Sequence, residues 1–408
     1  MMRLLSLLFG FFISTSPLAL PSDWPQWRGP NRDGLADFRP PKAWPDKLTL
    51  KWKITVGEGH SSPVVAGNRV YTHTRVSDNE TVSCFDLATG KQLWQQAYAA
   101  PYQMHPAAVG HGKGPKSTPV IAAGKVYTLG ISGILSCFDA VSGRVLWRKD
   151  FSSQFKTTSP LFGTAMSPLV DSGLLIAHAG GHDSGALTAF DAATGQVKWR
   201  WNGDGPGYAS PIIVAIDGGR QVVTQTQENI VGVSFATGEL LWRVPFTTEY
   251  TQNVVTPVEV KGLLIFSGIN NGTMALKLSK QGNKWSHEQV WLNQDVSMYM
   301  NSPVARGNLL FGMSHKRKGQ FFCLEAASGK TLWTSEGRDG DNAAIICGGD
   351  VLLLLSTDAT LTIARASGEG FQPVKKYTVA DSPTWAHPAI TSAGLLIKDA
   401  KTLALWGF

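Results

Sequence analysis

An eleven-residue phrase occurs five times along the chain: CFDLATGKQLW at 84–94, CFDAVSGRVLW at 137–147, AFDAATGQVKW at 189–199, GVSFATGELLW at 232–242 and CLEAASGKTLW at 323–333. A phrase repeated at this spacing describes a building unit, not five active sites, and it constrains the architecture before any other feature does. Its chemistry is that of a turn followed by a packing residue. Asp86 can accept backbone N–H groups, Thr89 can reinforce the turn, and Gly90 can take the positive-φ position that ends it. Trp94 then falls on a strand, a flat side chain large enough to fill the gap between one sheet and the next. Around it, SSPVVA, NRVYTHT, TVSCFD and QLWQQAY (61–98) read as four short strands separated by Gly, Asn and Asp turns, one antiparallel sheet per repeat.

Trp52, Trp94, Trp147, Trp199, Trp242, Trp291 and Trp333 mark the period in steps of 42 to 53 residues, the length of a four-stranded propeller blade with variable loops. Inner strands are expected to begin near Ser61, Ser117, Met166, Ala209, Val254, Asn301, Ala343 and Ala386, which predicts eight blades. Two are degenerate. The fifth replaces the phrase with KLSKQGNKW, and the seventh reads ARASGEGF, with Phe371 near the tryptophan slot. The last blade lacks a fourth strand, and LKWKITV at 50–56 supplies one, so the N-terminal strand closes the ring and removes the exposed edge. The predicted fold is all-β: an eight-bladed β-propeller over 50–408, preceded by a strap at 23–49 and a signal peptide at 1–22.

The signal peptide is read from Arg3 followed by an apolar run, Leu4 to Ile13, too short to span a bilayer. It predicts export to the periplasm or beyond, and no other stretch is apolar and long enough to cross a membrane. The net charge is +7, but the basic residues are scattered, with only Lys316-Arg317-Lys318 as a run. A nucleic-acid groove needs a clustered basic stripe, so no nucleic-acid partner is expected. Cys84, Cys137 and Cys323 occupy one slot of three repeats, too far apart to bridge, and with Cys347 they read as small buried residues. A monomer is expected.

Function is expected at the channel. The inner strands start with polar residues that would converge on one funnel, which is the default position for a ligand site. Lys116, Ser117, Thr118, Asn301, Trp385 and His387 are the candidate binding residues. Asp204, Asp295, Asp341 and Asp381 lie on loops that precede inner strands, from which some could reach a metal; no metal ligand is assigned among them. The nine histidines form no metal motif. His105 and His111 lie in a long loop, 99–115, that would hang over the channel mouth, while His178 and His182 flank AGG. The strap carries Trp24, Trp27, Trp44, Arg28 and Arg32, and is expected to lie across the propeller with its arginines stacked on tryptophans. Trp24, Trp27, Trp44, Trp201, Trp285, Trp385 and Trp406 stand outside the docking slots. If exposed, they would suit stacking on sugars.

The phrase [AC]-[FL]-D-A-x-[TS]-G-x-x-x-W resembles the tryptophan-docking repeat of the pyrroloquinoline quinone (PQQ) propeller superfamily, which holds quinoprotein alcohol dehydrogenases and the outer-membrane assembly lipoprotein BamB. DWPQWRGPNRDG (23–34), GPKSTPV (114–120), MSPLV (166–170) and WAHPAI (385–390) resemble a secreted bacterial subgroup of PQQ-binding-like propellers. The resemblance implies a non-catalytic binding or scaffolding propeller of the cell envelope, BamB-like, with an envelope protein or small ligand as partner. It implies as alternatives a dehydrogenase carrying PQQ and calcium and acting on an alcohol or sugar, or a glycan-binding propeller.

Overall fold

The computed structural model describes residues 23–408 except 156, 182–183 and 283; residues 1–22, where a signal peptide is expected, and His182 lie outside the described residues. Eight sheets follow one another along the chain, each built on four antiparallel strands; the seventh gains a short fifth strand, Leu35–Ala36, paired parallel with Ala343–Gly348. The first blade comprises Val64–Ala66, Arg69–Val76, Asn79–Asp86 and Gln92–Ala99. The last comprises Ala389–Thr391, Gly394–Lys398 and Thr402–Gly407, and its fourth strand is Thr49–Thr55, paired antiparallel with Thr402–Gly407. The ring is therefore closed by the N-terminal strand.

The phrase does what its chemistry dictates. Asp139 Oδ1 accepts the Ser142 N–H and hydroxyl, both at 2.7 Å, and Gly143 follows at φ +74°. The Trp94 ring of the preceding blade lies flat against Gly143, where a Cβ would approach to 2.6 Å, and its Nε1 donates to Ala140 O at 3.1 Å. The same contact repeats from Trp52 to Leu87 O (2.9 Å), Trp147 to Ala192 O (3.2 Å), Trp199 to Phe235 O (2.9 Å), Trp291 to Ala326 O (3.0 Å) and Trp333 to Ser367 O (2.8 Å). Within each blade the tryptophan faces a small residue across the strand pair: Trp94 opposite Cys84, Trp147 opposite Cys137, Trp333 opposite Cys323. Volume thus explains these three cysteines. All four are free and buried.

The two degenerate blades depart from the pattern for visible reasons. The fifth has no phrase turn to receive Trp242, because Thr273–Gln281 and Lys284–Asn293 run on as one long hairpin. Trp242 instead donates to Gln221 Oε1 of its own blade at 2.6 Å. Phe371 does not take the outward tryptophan slot of the seventh blade. It packs back on Trp333 and Phe321 of the sixth, with ring centroids 5.6 Å away in both cases. The gap this leaves beside the eighth blade is covered by the strap: Phe38, Trp44 and Phe408 cluster there with centroids 5.1–6.4 Å apart, and Tyr377 donates its hydroxyl to Pro45 O at 2.8 Å.

Candidate functional site

Six inner strands start with Ser or Thr followed by proline: Ser62, Thr118, Ser167, Ser210, Thr256 and Ser302. Proline holds the preceding residue extended, and in all of them but Ser62 the hydroxyl accepts a bond from the preceding blade. The Ser62 N–H donates to Thr118 Oγ1 (3.2 Å), Thr118 N–H to Ser167 Oγ (2.9 Å), Ser167 N–H to Ser210 Oγ (2.9 Å), Ser210 N–H to Thr256 Oγ1 (3.4 Å) and Thr256 N–H to Ser302 Oγ (3.0 Å). These hydroxyls stitch blades one to six together. In the seventh and eighth blades the position belongs to Ala344 and His387, and the stitching stops.

The N-terminal arm fills the channel at this level. Trp24 and Val65 exchange backbone bonds (3.0 and 2.8 Å), the Ile121 N–H donates to Pro25 O (2.8 Å), and the Cys347 N–H donates to Gly34 O (2.9 Å). Trp27 Nε1 donates to Thr256 Oγ1 at 3.0 Å. Arg32 donates to Ser167 O and Pro168 O, both at 2.9 Å, and Arg28 to Asp33 O at 3.1 Å and to Pro303 O. Both arginines are buried, at 1% and 3% exposure. Burial pulls their pKa values down, to about 10 for Arg28 and about 9 for Arg32, which leaves both charged at neutral pH. The arm is therefore hydrogen-bonded to blades one, two, three, five, six and seven. Its first part, residues 23–34, is a plug inside the channel, while Phe38, Trp44 and Pro45 continue as a strap beside blades seven and eight; its arginines cap carbonyls where the sequence suggests stacking on tryptophans. Gly29, at φ +87°, permits the turn that folds the arm back on Trp24, whose ring would meet a Cβ there at 2.9 Å.

Above the plug lies a cavity of about 430 Å³, within the usual range for small-molecule sites. Trp27 and Arg28 form its floor. Aromatic walls come from Phe162, Tyr208, Tyr250, Tyr299 and Trp385, and the loop carrying His105 and His111 reaches over it. His60 stacks on Trp385 with centroids 5.5 Å apart, and His111 meets both edge-on at 5.8 and 5.1 Å. Burial, then the Lys116 and His111 charges, pull His60 down to about 3; burial and Lys116 also lower His111. Burial draws Lys116 down to about 8.

Of the six residues expected at the site, Lys116, Asn301, Trp385 and His387 line the cavity, and Ser117 and Thr118 do not. Both of the latter are fully buried, and the Thr118 hydroxyl is committed to the blade-to-blade stitching. Asn301 lines the cavity but is bound at both ends to Met313 of its own blade, at 2.9 and 3.3 Å. His387 belongs to the floor: it is wedged between Trp24 and Trp27, its ring nitrogens 3.0 Å from Pro388 O and 3.2 Å from Ile345 O. Burial lowers it to about 4, so it is neutral. His178, outside the cavity, approaches Asp204 O at 3.0 Å. Of the seven remaining tryptophans, Trp24 is buried in a core, Trp44, Trp201, Trp285 and Trp406 are partly buried and packed against cores, and Trp27 and Trp385 line the cavity. Trp27 and Arg28, strap residues by the sequence alone, are cavity residues in the structure; the density of Trp and Arg beside Gly in WPQWRGP is the sign in the sequence of a segment built for burial.

Comparison with known proteins places this architecture. The family described as outer membrane protein assembly factor BamB matches residues 49–95 and 78–335. The chain belongs to that family. BamB of Yersinia pestis is 25% identical over 311 residues, 70% of each chain. The crystal structure of BamB from Moraxella catarrhalis superposes with a TM-score of 0.64 over 88% of this chain and 98% of that one, at 15% identity. Quinohemoprotein alcohol dehydrogenase from Comamonas testosteroni superposes with a TM-score of 0.66 over 94% of this chain and 80% of that one, at 14% identity. At such identities the two structures share the fold.

The PQQ and calcium implied by the dehydrogenase side of the superfamily can be tested against the lining. Calcium takes six to eight oxygen ligands, carboxylates among them. Among the described residues no Asp or Glu lines the cavity, and no group of three His, Cys, Asp or Glu is placed to hold a metal. The four expected aspartates are engaged or exposed elsewhere. Asp204 accepts from Glu228 N (3.0 Å), Asn229 Nδ2 (2.9 Å) and Thr226 Oγ1; Asp381 pairs with Lys53 at 2.5 Å; Asp295 and Asp341 face solvent. The described residues do not fit a calcium-bound quinone, and none is placed there as a carboxylate base.

Proposed function

We propose that this chain is a non-catalytic scaffolding propeller of the bacterial envelope, working in the periplasm in the assembly of outer-membrane proteins. The observation that carries the reading is the BamB family match across most of the ring. The carboxylate-free cavity supports it, because a dehydrogenase of this fold would need a base and a metal there. No helix among the described residues is long and apolar enough to cross a membrane, which suits a protein that acts through its loop faces. The test is crosslinking in cells followed by affinity capture of the tagged chain from envelope extract. Enrichment of barrel-assembly components over an unrelated exported propeller is expected. Their absence, together with dye-linked oxidation of alcohols or sugars by the purified chain, would remove the proposal.

A further inference from the structure

The cavity has a cation with no counter-ion. Lys116 Nζ donates one hydrogen bond, to Phe162 O at 2.8 Å, which leaves two of its three ammonium hydrogens for a ligand. No carboxylate lines the cavity among the described residues. Arg28, the other cation there, turns its two terminal nitrogens to the carbonyls of Arg32, Asp33 and Pro303; its Nε is buried. The nearby imidazoles of His60 and His111 are held neutral at ordinary pH by burial. One positive charge is thus available, in surroundings that make an unpaired charge costly. The surfaces beside it are flat and apolar: Trp385 stacked on His60 at 5.5 Å, and Phe162 tilted on Tyr208 at 6.0 Å.

We propose that the cavity binds a small organic monoanion with a flat aromatic body, its acidic group on Lys116 and its ring against Trp385, and that it does so without a metal ion. A single usable cation selects one acidic group over a polyphosphate. The aromatic walls select a planar body over an aliphatic chain. Electrostatics favours the acid over its neutral isostere, because the ligand supplies the charge that the protein omits. This site goes beyond the scaffolding role and is independent of it: partner capture can succeed or fail without touching it.

The experiment is isothermal titration calorimetry of residues 23–408 with naphthoate and with the neutral naphthalenemethanol, first in EDTA and then in excess calcium. Naphthoate is expected to bind at one site, about tenfold or more tighter than the alcohol, as a charge-assisted hydrogen bond implies, and calcium is expected to change nothing. Lys116→Met should abolish the preference for the acid while leaving alcohol binding and the melting temperature close to wild type. Trp385→Ala should weaken both ligands. If Lys116→Met fails to fold, Lys116→Arg provides the test, because it should keep the preference. Equal affinity for acid and alcohol, an unchanged preference in Lys116→Met, a requirement for calcium, or no heat at millimolar naphthoate would each overturn the proposal.

Discussion

Lys116 and the two arginines of the plug share one physical problem, a cation taken out of water, and they meet it differently. The guanidinium fork reaches several carbonyls at once: Arg32 binds Ser167 O and Pro168 O as well as Gln26 Oε1. Arg32→Met would leave those carbonyls unpaired inside the channel, and is expected to cost about 2–4 kcal/mol in urea unfolding; a loss within error of zero would contradict the plug. Lys116 has one carbonyl, and burial draws its pKa down to about 8. Anion binding needs its charged form, so naphthoate affinity should be flat below that pH and fall as the amine deprotonates above it. His60 and His111 face the same corner but are neutral in this range, and a profile without a fall above pH 8 would show that Lys116 is not the anchor. These residue-level roles were only partly legible in the sequence. The polar starts of the inner strands announce a funnel, yet a hydroxyl that lines a channel and one that stitches two blades look identical until the Ser-Pro and Thr-Pro geometry is seen.

The blade is the element that the sequence describes best. Asp, Ser or Thr, Gly and Trp at fixed offsets each answer a local need, and the contact from tryptophan to the next blade's glycine follows from them. Trp199 is buried at 7% exposure, and Trp199→Ala is expected to destabilise by about 3–5 kcal/mol, the usual range for a buried tryptophan. Gly238→Ala attacks the same contact from the other side. Its φ is +73°, and a Cβ there would sit 2.4 Å from the Trp199 ring, so a cost of about 1–3 kcal/mol is expected in the same measurement. Where the phrase is absent, reading the element fails for the same reason. Neither the fold-back of Trp242 nor the inward packing of Phe371 is encoded nearby, since each depends on what the adjacent blade offers. A second device lies between blades one and two. Burial would raise the Glu80 pKa, but His73 at 3.3 Å, the Tyr98 hydroxyl at 2.6 Å and the Ile131 N–H at 2.7 Å outweigh it, so it falls below the usual 4.5. A carboxylate lowered in this way stabilises the fold above its ordinary pKa, and the contribution is lost as the pH falls through the lowered value. Glu80→Gln should therefore reduce stability at neutral pH and flatten the acid limb of the stability profile. An acid limb as steep as wild type would assign it to other groups.

At the scale of the whole molecule, the ring and its closure follow from the repeat, whereas the filled channel does not. A Pro-rich arm ahead of the first blade could as well lie on the surface; that it threads the ring becomes evident only when Trp24, Arg28, Arg32 and Gly34 are seen bonded to different blades. Deleting residues 23–34 is expected to lower the melting temperature and abolish naphthoate binding, because the arm is both the fill of the channel and the floor of the cavity. The family match, and a cavity lined by no Asp or Glu among the described residues, are what support our reading of a propeller with the fold of the quinoproteins and no calcium site in its cavity. The most direct test is thermal unfolding of residues 23–408 with PQQ, once in calcium and once in EDTA, since a ligand that binds only the folded state must raise the melting temperature. The account predicts that any rise is the same in both; a saturable rise that requires calcium would contradict it.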